Sequence, residues 1–454
     1  MGSHVIDSAL FKSCFGTEEM RTIFSDATLL QMWLDVEAAL AKAEGELGII
    51  PTAAAAEIVK KAHVRFLDME AMGKAIEKAN HPIMPLVKQL ERACDNSHGQ
   101  YVHWGATTQD IMDTGIVLQM KQGLAVIERD VVEMLRILCA LAETHTNTIM
   151  PGRTHGQHAL PITFGYKVSI WLDEMNRNLA RVRSLKSRVL NGQFFGAVGT
   201  LASLHKRGME VQERMMRDLG LGVSRTALHA ARDNWAEIAS VLAILTGTIG
   251  KMAKEVIMLQ KTEIAELEEP FRSGQVGSST MPHKRNPMTC QNIVALSRIV
   301  RANSPLVTEG MVHEDERDMT ALQVEWEVMP ELFTLTGAAL SMSVAVFRDL
   351  RVRPDNMKRN LSIAKDFILS EAIMIALGEK IGRQKSHDLV HKACEEALHQ
   401  NTSLSVILNG NKEVTGYLSA EEIEKILSPE NYIGVSVEMT QAVIENTKKI
   451  LELS

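Results

Sequence analysis

From Ile116 to His145 the apolar residues Val117, Met120, Leu124, Ile127, Val131, Leu135, Leu138 and Leu141 recur every three or four positions without interruption. That spacing is the signature of an α-helix with one apolar stripe, here about 30 residues or roughly 45 Å long. A helix of that length cannot bury its stripe alone, so it needs parallel or antiparallel neighbours of similar length. The stretches Ala236 to Gln260 and Trp326 to Arg348 repeat the pattern, and Pro161 to Leu190 and Gln291 to Leu306 supply two more. Five long helices packed as a bundle are therefore expected. Aromatic residues make up only 4% while methionine numbers 25, a composition that favours helices packed on helices over sheets. An earlier helix is expected from Ala27 to Gly48, with Asp26 as N-cap and Gly48 and Pro51 as its stop. Beyond Arg351-Val352-Arg353-Pro354 the chain reads as short helices around Gly382 and Gly410. The expected fold class is all-α.

Charge narrows the partners. The chain carries a net charge of −7 with acidic and basic residues interspersed, so it has no basic face for nucleic acid. No window reaches the roughly 18 consecutive apolar residues of a membrane span, and the start lacks a charged-then-apolar export pattern. The five cysteines are odd in number and include no CxxC, which points to neither a disulfide framework nor a zinc site. A cytoplasmic location is the expectation.

Three polar segments carry the chemistry. Gly277-Ser278-Ser279-Thr280-Met281-Pro282-His283-Lys284-Arg285-Asn286-Pro287 packs hydroxyls, an imidazole, cations and a carboxamide into eleven residues. A serine hydroxyl abstracts a proton only where neighbouring dipoles and cations stabilise its alkoxide, and Lys284 and Asn286 are placed to supply such a field. The alternative is a solvated surface turn. Tyr101 to Asp110 ends in Thr107-Thr108-Gln109-Asp110, small and hydroxyl groups able to present Oγ and N–H to a carboxylate. The same residues read as a capping box opening the next helix, and both roles are compatible. Pro151 to Pro161 joins two long helices yet holds Thr154, His155, Gln157 and His158, more hydrogen-bonding groups than a connection needs. His81, before Pro82, stands at a helix boundary. The spacing of His81, His103, His155 and His158 contains no HxxxH or HExxH face, so no metal is expected. Gly192 to Thr200 permits close backbone approach at Gly196 and Gly199 but lacks a nucleotide-loop context.

The eleven-residue string resembles the GSSxMPxKxNP signature of the fumarase/aspartase superfamily. The Thr107 and Thr154 segments resemble two further blocks of that superfamily, so the resemblance spans the chain. It implies three helical domains, with boundaries giving 1–112, 113–352 and 353–454, and a homotetramer whose central bundles merge so that three subunits build each active site. It also implies cofactor-independent anti elimination beside a carboxylate. Ser278 would remove the proton, Lys284 and Asn286 would steady the dianion, and Thr107 and Thr108 would hold carboxylates. His155 would assist the leaving group, with Gln109, Thr154, Gln157, His81 and His103 as further substrate contacts.

Within the superfamily, adenylosuccinate lyases carry an Arg-Tyr pair where this chain has Cys14-Phe15, and an Arg where it has Trp326. The cations that a nucleotide phosphate needs are missing there. Glu325-Trp326, Phe24-Ser25-Asp26, Val102 to Thr107 and Thr262 to Glu266 look instead like the 3-carboxy-cis,cis-muconate cycloisomerase branch. Bacterial members of that branch usually lack an imidazole at the place of His155, which this chain keeps. Gln291 stands where most of the superfamily has a Glu that pairs with that His, and a neutral amide cannot stabilise an imidazolium by charge. The reading is a cycloisomerase-like lyase acting on a small polycarboxylate and releasing fumarate from an N- or O-substituted succinate. The alternatives are a true lactonising cycloisomerase, a disfavoured adenylosuccinate lyase, and a non-catalytic structural homologue.

Overall fold

The computed structural model describes residues 4–271 and 274–452; Leu453 and Ser454, the end of the expected helical tail, lie outside the described residues. About 70% of the chain is helical. The long elements are α1 (Asp26–Glu46), α2 (Thr108–Thr144), α3 (Phe164–Val189), α4 (Asp233–Leu259), α5 (Met288–Glu309) and α6 (Met319–Arg348). The five long helices expected from periodicity are α2 to α6.

Seven of the eight stripe residues of α2, from Val117 to Leu138, are at most 3% exposed. Leu141 is only half-buried, and Ala142 takes its place inside. α2 starts at Thr108, where the expected capping box of Thr107 and Asp110 places its opening, eight residues ahead of the apolar stripe that begins at Ile116; Asp110, Asp113 and Thr114 in that first stretch are buried in polar contacts. α1 opens at Asp26, and its N-cap is Ser25, whose hydroxyl accepts the Thr28 N–H, in place of the expected Asp26.

The chain divides into two compact units. Unit 1 comprises Met1–Val131, Asn178–Gly250 and Asn292–Met342, and unit 2 comprises Val132–Arg177, Lys251–Gln291 and Ser343–Ser454. Each of the five long helices contributes residues to both. In unit 1 the helices approach closely at glycines of α2. A Cβ at Gly115 would stand 2.5 Å from the Trp33 ring of α1, and one at Gly123 would stand 2.6 Å from Phe333 of α6. In unit 2 the C-terminal helices close a separate apolar cluster around Ile373, Leu377, Ala397, Leu404 and Leu408.

Short strands add to the helices. β1 (Ile149–Thr154) and β2 (Gln157–Thr163) pair antiparallel, with an irregularity between Pro151 and Arg153. The segment read as a connection is thus a β-hairpin, and α3 begins at Phe164 instead of Pro161. Two further pairs of two-residue strands, Asn191–Gly192 with Gly222–Val223 and Leu267–Glu268 with Arg351–Val352, complete the strands among the described residues. α4 and α6 are long and apolar enough to cross a membrane, yet 67% of the apolar window of each is buried inside the protein, as core helices are.

α1 also buries two carboxyl groups, Glu37 and Glu44. Neither oxygen of Glu44 has a hydrogen-bond partner among the described residues. Burial, and then the charge of Glu37, pushes its carboxyl up to about 9. A carboxyl that holds its proton in the folded state but not in the unfolded one lowers stability as pH rises from about 4.5 to about 9, with no further loss above. Glu44→Gln is therefore expected to leave stability unchanged near pH 4.5 and to raise it by on the order of 4 kcal/mol at pH 7.5. Denaturant titrations at the two pH values check this, and an equal effect at both would refute it.

Candidate active site

In unit 1 the N-terminus of α2 is built around Asp110. Its carboxylate accepts the N–H groups of Thr107 at 3.0 Å, Phe195 at 3.0 Å and Gly196 at 2.9 Å, and pairs with His229 Nε2 at 2.9 Å. The Thr107 contact is the reciprocal half of the expected capping box. Gly196, at φ +75°, lets the 195–196 backbone turn both amides toward one carboxylate. The Gly192 to Thr200 stretch thus fixes the Thr107 segment from behind.

A second layer backs the first. Asp113 accepts from Gln109 at 3.0 Å, Gln193 at 2.6 Å and Arg232 at 2.6 Å, while Arg232 also forks onto Glu325. Gln109 is buried, and its carbonyl oxygen accepts from Arg317 Nε at 2.8 Å. Its amide nitrogen also donates to the His229 carbonyl at 2.9 Å, so Gln109 belongs to the framework of the segment. Burial raises the carboxyl of Glu325 to about 6 against the lowering pull of Arg232.

On the open side, His81 Nδ1 accepts the Met84 N–H at 3.1 Å, and its Nε2 lies 3.1 Å from Thr108 Oγ1. The neutral ring then carries its proton on Nε2 and donates it to Thr108, which leaves the threonine hydroxyl proton for another acceptor. His103 stands at φ +64°, with its N–H 3.1 Å and its Nδ1 2.6 Å from the two oxygens of Glu37.

In unit 2, Thr154 and Gln157 pair at the end of the hairpin, and His155 (φ +52°) and Gly156 (φ +77°) form its two-residue turn. Two successive positive φ values match the twist of a type I′ turn, which presents the exposed His155 at the tip. The hairpin is anchored by Arg153, whose Nη1 donates to the buried Glu266 at 2.9 Å; Glu266 is held in turn by Asn360 at 2.8 Å. His158, opposite Arg153 in the ladder, is pushed down by burial and then by the Arg153 charge.

The signature loop closes on itself. Asn286 Nδ2 donates to the Gly277 carbonyl at 2.7 Å, and a Cβ at Gly277 would collide with the Lys284 carbonyl oxygen. Ser278 Oγ accepts the N–H of Met281 at 3.1 Å, with that of Thr280 at 3.4 Å. Two amides aimed at one hydroxyl oxygen favour its anionic form. Arg285 ties the loop to Glu268 at 2.7 Å, where Arg353 also binds at 2.7 Å. Glu269 accepts the first amides of α5, at Thr289 and Cys290. The Lys284 side chain is exposed and makes no ion pair among the described residues. No hydrogen bond among the described residues joins the loop to His155. Likewise, no group of three His, Cys, Asp or Glu among them is placed to hold a metal.

Glu37, Arg317, Glu266 and the Asp113–Arg232–Glu325 group were given no role from the sequence, where Glu266 and Glu325 stood only in strings that resemble the cycloisomerase branch. For Glu37, Asp113 and Glu325 a signal existed, since each is a charge inside a buried helical stripe, where it must have a partner.

Comparison with known proteins fits this architecture. A family model described as "Lyase" matches residues 15–301, and one described as "Adenylosuccinate lyase C-terminus" matches 366–443. The N-acetyl-S-(2-succino)cysteine lyase of Dickeya dadantii (strain 3937) is 38% identical, over 98% of both chains. The adenylosuccinate lyase of Pyrococcus horikoshii is 41% identical over 96% of this chain and 97% of its own length. The crystal structure of the 3-carboxy-cis,cis-muconate lactonizing enzyme from Pseudomonas putida superposes with a TM-score of 0.91 at 34% identity, covering 97% of this chain and 99% of that one. Fold and relatives together define an enzyme of the lyase or cycloisomerase class. The chain belongs to the fumarase/aspartase superfamily.

Proposed function

We propose that this enzyme is a cofactor-independent lyase that splits a small substituted succinate by anti elimination and releases fumarate, with nitrogen, oxygen or sulfur as the departing atom. The observation that carries the reading is the pair of backbone N–H groups on Ser278 Oγ, in a loop that also bears Lys284 and Asn286. Ser278 is the base that takes the proton α to a carboxylate. Lys284 and Asn286 meet the negative charge that then spreads over that carboxylate, and Thr107 and Thr108 hold the substrate's acid groups. His155, exposed on its turn, protonates the leaving atom. Thr154 and Gln157 flank it as substrate contacts. Sulfur enters because the Dickeya relative is named for an S-substituted succinate.

A nucleotide substrate is disfavoured because Cys14-Phe15 and Trp326 stand where adenylosuccinate lyases carry the cations that a phosphate needs. The likeness to the lactonizing enzyme keeps cycloisomerisation as the second reading. We further propose a three-domain homotetramer with shared sites; the exposed Met281, Met288, Met311 and Val312 support burial against other protomers.

The test is purified enzyme against N-, O- and S-substituted succinates and 3-carboxy-cis,cis-muconate, read by the ultraviolet absorbance of fumarate and of the muconate. Fumarate from any of them supports the lyase. Loss of carboxymuconate without fumarate selects the cycloisomerase, and silence on all would overturn both.

A further inference from the structure

Glu37 has no place in the elimination as written, yet it is a buried carboxylate of unit 1 committed to a single partner. It sits on α1 with 1% of its surface exposed, and both of its oxygens are taken by one residue. That residue, His103, adopts a left-handed backbone at φ +64°, a conformation that costs free energy for a side chain other than glycine and persists only where its surroundings hold it. The paired carboxylate requires a proton on Nδ1. Nε2 has no hydrogen-bond partner among the described residues, and the side chain is 15% exposed.

The state of Nε2 then decides what His103 can do. Unprotonated, it offers a lone pair that repels a carboxylate. Protonated, it is a charged donor, about twice as strong as a neutral one toward an acid group. We propose that Glu37 is a positioning residue: it fixes the ring of His103 and keeps it cationic, so that Nε2–H binds an acid group of the substrate beside Thr107 and Thr108. This rests on the polycarboxylate reading above.

The charges around His103 agree. Burial alone would push the imidazole down, but the charge and hydrogen bond of Glu37, with the charge of Asp110 on α2, outweigh it and raise it above the ordinary value. Glu44, the other carboxyl buried on α1, keeps its proton up to about 9 and adds no charge at neutral pH. His229 pairs with Asp110, and His81 is turned to Thr108.

The experiment is an NMR titration of ¹³C-labelled histidine in the intact enzyme, with His103 assigned by His103→Gln, in wild type, Glu37→Gln and Glu37→Asp. His103 is expected to titrate above about 6.5 in wild type, about one pH unit lower in Glu37→Gln, and to recover in Glu37→Asp. In turnover, Glu37→Gln is expected to raise KM roughly 10-fold at pH 7.5 with kcat changed far less, the gap closing toward pH 5.5 as the ring regains its proton. A wild-type His103 titrating at or below about 6.5 overturns the proposal, and so does a KM effect that is equal at both pH values. The titration needs no substrate, so it stands even if no succinate is turned over, and the wild-type curve decides even if Glu37→Gln fails to fold.

Discussion

Under the proposed elimination, Ser278→Ala is expected to lower kcat by about 10³-fold or more, with melting temperature and helicity unchanged. The two halves of that expectation have separate physical origins. Among the described residues Ser278 Oγ accepts hydrogen bonds only from Met281 and Thr280 within its own largely exposed loop, where water replaces the lost oxygen at little cost. No core contact depends on it. The proposed chemistry, by contrast, loses its base, and the amides aimed at that oxygen are left with nothing to stabilise. Steady-state kinetics and circular dichroism on one preparation check both halves. Turnover within a few-fold of wild type would move the base role to another group.

The largest effect on stability is expected at Arg232. Its guanidinium is 1% exposed and is shared between Asp113 and Glu325, with the Trp235 ring 4.2 Å away. Arg232→Met keeps most of the apolar volume but strands two buried carboxyl groups, a loss of roughly 3–5 kcal/mol. At about 2 °C per kcal/mol for a unit of this size, that corresponds to a fall of roughly 6–10 °C in melting temperature. Adding Glu325→Gln to Arg232→Met is expected to return part of the loss, because one of the stranded groups can then no longer ionise. A melting temperature within about 1 °C of wild type in the single variant would show that Asp113 and Glu325 are compensated elsewhere.

The contrast between these two residues explains what could be read before the fold was known. Ser278, Lys284 and Asn286 lie within nine residues, so their chemistry is visible as a string. Arg232 lies 119 residues from Asp113 and 93 from Glu325, and nothing local reports such a pairing. Helix spans were legible wherever a stripe is purely apolar, as from Val117 to Leu138. At the start of α2 the stripe is broken by buried Asp110 and Asp113, whose partners come from Phe195, His229 and Arg232, and there the Thr107–Asp110 capping box rather than the periodicity marks the opening. The hairpin was hidden for a different reason. Pro151, Gly152 and Pro161 are poor strand residues, and the pairing depends on the irregular register between Pro151 and Arg153 and on the Arg153–Glu266 anchor.

The closure of the signature loop has a mechanical meaning. Because the carboxamide of Asn286 is tied to the Gly277 carbonyl, and Gly277 itself lies against the Lys284 backbone, the proposed base and its two charge-bearing companions form a closed cyclic cassette. Such a ring holds the spacing of its members. Any approach to the reactant would displace Ser278, Lys284 and Asn286 together, so selection can alter the hinges that carry the cassette, among them the Arg285–Glu268 tether, without disturbing the spacing of the three groups inside it.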